Sequence, residues 1–136
     1  MMMMMNKSYK MIVLLYMLER GEEYWMDPVI PGELANFFHT YLTEKEYRKR
    51  KDFSDKDKLA LWEWNEKTAT EIEKLIVKMP MSMWSRAKGS MASFEDGIFS
   101  LNVHVQDVEE RALLYRWTKE ICLYRLHAYF ERGEIN

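Results

Sequence analysis

Between Met91 and Val105 the chain changes its hydrophobic rhythm. Phe99, Leu101, Val103 and Val105 alternate with Ser100, Asn102 and His104. A period of two sets one row of side chains against a core and the other toward water, the signature of a half-buried strand. Just upstream lies Glu95-Asp96-Gly97. Glycine accepts the positive φ of a tight hairpin turn, and Asp-Gly is a common solution. Met91-Ala92-Ser93-Phe94 supplies the partner strand. The flanking segments read as helices. The pattern predicts a mostly α fold with a small antiparallel β-hairpin, arranged as a winged-helix-like single domain.

A chain of 136 residues, 48% hydrophobic and 31% charged, can bury one real core and is too apolar to stay disordered. The low-complexity run Met1 to Met5 predicts a disordered or frayed N-terminus over residues 1–8, and the length and the lack of a Ser/Gly-rich linker predict one mostly helical domain over 9–133. The formal charge of −2 gives no whole-molecule attraction to nucleic acid or anionic membrane, so such binding needs a local patch. The lone cysteine, Cys122, has no internal disulfide partner and fits a reducing compartment. The apolar run Met11–Leu18 is followed at once by Glu19-Arg20-Gly21-Glu22-Glu23, with no small-residue cleavage site. It is also far shorter than the roughly 20 residues that span a bilayer. The chain reads as cytoplasmic, with no membrane partner.

The first helix is predicted over Tyr9–Arg20, with Asn6 or Ser8 as cap and Gly21 as stop. The loop through Trp25-Met26-Asp27-Pro28 has room for one short strand. Pro31 opens a second helix whose stripe is Leu34, Phe37, Phe38 and Tyr41. Thr43 and Glu46 have the form of a capping box. Residues 45–58 are strongly polar and read as an insertion or mobile segment. Asn65 caps a third helix over Glu66–Met79, with Ala69, Ile72, Ile76 and Met79 inward and Pro80 as its end. The last helix starts near Gln106 or Asp107 and runs to Arg132, stopped by Gly133. Its predicted seam is Leu114, Trp117, Ile121, Tyr124 and Ala128. The core is expected to centre on Ile12, Leu15, Leu34, Phe38, Ile76, Leu101, Trp117, Ile121 and Tyr124.

The motifs of catalysis are scarce. His39, His104 and His127 are far apart, with no Cys-x-x-Cys or His-Glu-x-x-His spacing, so neither a metal nor a cofactor is expected. Cys122 and His127 stand five apart, off a shared helix face, and the thiol reads as a buried structural residue. The five glycines are scattered singly and make no phosphate loop. The chain is therefore expected not to be an enzyme. One run has electrostatic promise: Lys45-Glu46-Tyr47-Arg48-Lys49-Arg50-Lys51. Lys45, Arg48, Lys49, Arg50 and Lys51 could neutralise phosphates, with Tyr47 beside them to stack. Arg86 and Lys88, at the base of the hairpin, are secondary candidates. Tyr115, Trp117, Tyr124, Tyr129 and Phe130 crowd the last helix, which must be central to the fold or covered by another chain.

Three blocks, taken in order, carry a likeness: Ser8-Tyr9-Lys10-Met11-Ile12-Val13-Leu14-Leu15, Lys78-Met79-Pro80-Met81 and Phe94-Glu95-Asp96-Gly97-Ile98-Phe99. Together they resemble an accessory module near the C-terminus of bacterial DEAD/DEAH-type helicase-like and restriction-related proteins. The motor itself is missing here, with no phosphate loop and no Asp-Glu-Ala-Asp-like box. The resemblance implies a DNA-processing or antiviral-defence context, with a helicase or restriction-type protein as partner, and carries no catalytic residue. The leading expectation is thus a non-enzymatic accessory domain that contacts DNA backbone or a DNA-processing partner. The alternative is a structural protein–protein interaction domain with no nucleic-acid binding.

Overall fold

The fold is that of a computed structural model, which describes residues 7–81, 84, 92–103 and 105–132. Among the described residues the main helices are α1 (Tyr9–Glu19), α2 (Pro31–Thr43), α3 (Glu46–Asp52), α4 (Glu66–Ile76) and α5 (Val108–His127). A 3₁₀ segment (Lys56–Leu61) links α3 to α4, and α4 and α5 each end in a π turn, Val77–Met81 and Ala128–Arg132. The fold is mostly helical with one small hairpin, as the sequence predicts.

α1 is apolar almost all round and lies at the centre, packed against α2 and α5. Ile12, Met17 and Leu18 are fully buried along it. Gly21, at φ 98°, turns the chain out of the helix where a side chain would be strained. Arg20 then holds the following loop, its guanidinium donating to the carbonyls of Trp25, Asp27 and Pro28. α2 opens on Pro31, whose missing N–H costs nothing at a helix start. It packs on α4, and Leu34 and Phe38 are fully buried along it. Asn65 caps α4, its side chain accepting from Thr68 N at 2.8 Å, and Asp107 caps α5, accepting from Glu110 N at 3.0 Å.

The hairpin pairs β1 (Ala92–Glu95) with β2 (Ile98–Leu101), Phe94 opposite Phe99 and Glu95 opposite Ile98. Asp96 and Gly97 turn it with φ of 54° and 76°, both positive, as a primed two-residue turn demands. Phe99 faces the core while Ile98 is turned outward. Beyond β2 the alternation continues in sequence but not in structure: Val103 and Val105 lie outside the strand, and His104 outside the described residues. The short strand expected before Pro31 is a single bridge, Val29 exchanging two 2.8 Å backbone hydrogen bonds with Phe99.

Four expectations are corrected. Ser8 sits at the cap of α1 but makes no side-chain cap bond; the carboxylate of Asp52 accepts its N–H instead. Thr43 is no cap either, because its hydroxyl donates back to His39 O at 2.8 Å and α3 starts after Lys45. The segment read as an insertion is anchored by Asp52 and Phe53, both fully buried. Pro80 does not terminate the third helix but lies buried inside its π turn.

The largest correction concerns α5. Trp117, Ile121 and Tyr124, predicted as core, are 55%, 59% and 56% exposed. The buried residues of this helix are Cys122 and Leu126, with Phe130 in the π turn behind them. Tyr115 joins them from the same side, donating its hydroxyl to Leu18 O at 3.0 Å. Those positions lie roughly opposite the predicted seam on a 3.6-residue helix. Leu101 is half-buried against the core, while Ile12, Leu15, Leu34, Phe38 and Ile76 are where the sequence put them.

Candidate functional site

The basic run folds into α3, seven residues long, and most of its cations turn toward the chain's own aromatic rings. The Arg48 guanidinium stacks 3.9 Å from the centroid of Tyr41, donates to Tyr41 O at 3.1 Å and pairs with Glu44 at 2.8 Å. Lys49 lies 4.2 Å from the centroid of Trp62 and pairs with Glu46 at 3.0 Å. Lys51 sits 3.9 Å from the Tyr129 centroid and donates to the backbone carbonyl of the same residue. Such cation–π contacts strengthen as water is removed, and each fixes a long side chain that a phosphate would need free to move. Arg50 and Lys45 face outward, Arg50 with its side chain 74% exposed beside Glu46. Of the five cations, therefore, Arg48, Lys49 and Lys51 tie α3 to the body, and Lys45 and Arg50 remain at the surface. Arg86 and Lys88 lie outside the described residues.

Asp52, the last residue of α3, is the hub that holds this arrangement. Its carboxylate is fully buried and accepts from Ser8 N at 2.6 Å and from the Tyr129 hydroxyl. Its backbone carbonyl accepts from Tyr9 Oη at 2.7 Å. A buried carboxylate is tolerable only with such donors, because desolvation disfavours its charge. Three distant segments meet here: the start of α1, the end of α3 and the C-terminal π turn. Burial, and then the Asp52 carboxylate, push the Tyr9 and Tyr129 phenols well above the usual range. The Tyr41 phenol, under Arg48, is pushed up to about 12, chiefly by burial.

Two further chemistry-bearing groups, Cys122 and His39, are held by backbone carbonyls. Cys122 is buried, its thiol donating to Met11 O at 3.3 Å, and burial pushes its pKa up to about 12. A thiol so held stays protonated at neutral pH and is a poor nucleophile. His39 is buried and its Nε2–H donates to Leu61 O at 2.8 Å. His127 lies exposed on α5. Among the described residues no cluster of His, Cys, Asp or Glu could hold a metal ion. No helix among them is long and apolar enough to cross a membrane.

What the surface does present is the outward face of α5. Trp117, Ile121 and Tyr124 follow the four-three spacing of one helical stripe. Large aromatic and branched side chains grouped in this way are the residues that dominate protein interfaces. Sequence periodicity found the stripe but assigned it to the core, because a buried seam and an exposed stripe have the same spacing. No family model matches this chain, and no curated protein or solved structure matches it.

Proposed function

We propose that the chain is a non-enzymatic protein-interaction domain that docks a partner on the outward face of α5. The observation that carries this reading is the exposure of Trp117, Ile121 and Tyr124, each more than half open to solvent on one stripe. Burying a large apolar side chain contributes about 1.5–3 kcal/mol, so three of them supply an interface hot spot. The internal commitment of Arg48, Lys49 and Lys51 argues in the same direction, since it leaves α3 with little charge to offer a phosphate backbone. The single buried thiol supports a cytoplasmic setting. The resemblance in the sequence would place the partner among DNA-processing proteins of the helicase or restriction class.

The test is a photo-crosslinking amino acid placed at Ile121 in cells, with Thr70, exposed on α4, as the control position. A discrete adduct from Ile121 that Trp117→Ser abolishes is expected. Equal labelling from both positions would exclude α5 as a docking face.

A second reading, direct contact with nucleic acid in a winged-helix-like arrangement, is favoured by the outward placement of Lys45 and Arg50 and of the hairpin turn. Fluorescence anisotropy on duplex and single-stranded DNA across salt concentrations tests it. Contacts from these two cations predict a salt slope that falls by up to about two phosphate equivalents in Lys45→Ala/Arg50→Ala. No binding by the intact chain at low salt removes this reading.

A further inference from the structure

The 3₁₀ segment, α4 and the π turn that ends it line an open groove of about 380 Å³. Lys67, Glu71, Lys74 and Lys78 run along one wall at spacings of four, three and four, a single helical stripe that continues into the π turn. At 1.5 Å per residue the three lysines extend over about 16 Å. Lys58 stands on the opposite wall, and Leu61, Leu75 and Met79, all half-buried, form the floor. The groove thus joins an apolar base to rims of four lysines and two carboxylates, in a chain whose net charge is −2. Lys74 pairs with Glu71 at 3.6 Å and Lys58 with Asp57 at 3.2 Å. Lys67 and Lys78, exposed at the two ends of the row, make no ion pair among the described residues.

We propose that this groove binds an acidic, apolar-containing segment of a partner protein, carboxylates on Lys67 and Lys78 and apolar side chains on Leu61, Leu75 and Met79. The chemistry of the lining selects this ligand over a nucleic acid. A strand of DNA or RNA held in a groove gains from aromatic rings on which its bases stack, and none of the lining residues is aromatic. Asp57 and Glu71 would repel a continuous phosphodiester chain, whereas a peptide whose acids are spaced by apolar residues can set them between its own carboxylates. The apolar floor adds what a purely electrostatic site lacks, a reward for hydrophobic side chains that salt does not screen. This inference extends the protein-interaction reading to a second surface and does not rest on α5.

The test uses the full chain and a fluorescein-labelled peptide of alternating Leu and Glu, with polyglutamate and single-stranded DNA as comparison probes in anisotropy titrations. Saturable binding of the Leu-Glu peptide, tighter than that of polyglutamate, is expected. Lys67→Glu/Lys78→Glu should weaken it roughly tenfold, with circular dichroism showing an unchanged fold since both side chains are exposed. Trp117→Ser should leave this affinity unchanged, which separates the groove from the α5 face. Peptide binding indifferent to the double charge reversal overturns the proposal. Lysine-dependent binding of DNA tighter than that of the peptide overturns it too, and assigns the groove to nucleic acid.

Discussion

Replacing Asp52 by alanine strikes a place where the start of α1, the end of α3 and the C-terminal π turn are tied together. The fully buried carboxylate accepts from Ser8 N and the Tyr129 hydroxyl. Without it, the buried Ser8 N–H and the half-buried Tyr129 hydroxyl lose this acceptor, at about 1–3 kcal/mol for a buried group left unsatisfied. The substitution also removes the desolvation cost of the carboxylate itself, which offsets part of that loss. The expected net destabilisation is therefore about 2–4 kcal/mol, a large share of the roughly 5–15 kcal/mol typical of a domain. Tyr129→Phe removes one donor and keeps the charge, so about 1.5–3 kcal/mol should be lost. Because both substitutions break the same contact, the double variant should cost less than the sum, by about 1 kcal/mol or more. Urea unfolding followed by the fluorescence of the five tryptophans measures all three. An Asp52→Ala variant within about 0.5 kcal/mol of wild type, or single effects that simply add, would refute the hub.

Trp117→Ser should change stability by no more than about 0.5 kcal/mol, whereas Phe38→Ala, with its ring fully buried against Tyr9, should cost about 3–5 kcal/mol; thermal melts compare them. Stability should decline at high pH. The folded pKa values of Cys122 and Tyr41 lie near 12, above their ordinary values of 9 and 10. A raised folded pKa gives a contribution fully present below the unfolded value and lost as pH rises through the folded one. The loss should therefore appear between about pH 9 and 12 in denaturation midpoints taken across that range. Cys122 should also resist an aromatic disulfide reagent at neutral pH until urea opens the core. Arg20→Lys should loosen the loop over residues 21–30, since an ammonium cannot fork across three carbonyls as the guanidinium does, and amide exchange there should rise.

Local signals determined much of this protein. The alternation around Phe99 and the Asp96-Gly97 pair specify the hairpin, because a period of two and two positive φ values are demands that only a few residues meet. Asn65 and Asp107 mark their helices by chemistry that acts within three residues. The stripe of α2 is legible because its other faces are polar, so Leu34 and Phe38 have one side to bury. On α5 apolar and aromatic residues lie all around the helix, and periodicity alone could not say which side meets the body. Tertiary packing chose the side of Tyr115, Cys122 and Leu126, which fits against α1, and left Trp117, Ile121 and Tyr124 outside. The same holds for charge. Arg48, Lys49 and Lys51 read as a basic patch until the fold brings Tyr41, Trp62 and Tyr129 beneath them. Asp52 reads as one more surface acid until Ser8, 44 residues away, and Tyr129, 77 residues away, supply its donors. Sequence fixes what a residue can do over a turn or two of backbone. Which groups become its neighbours across the chain, and so whether it is buried or displayed, is settled only when the elements pack.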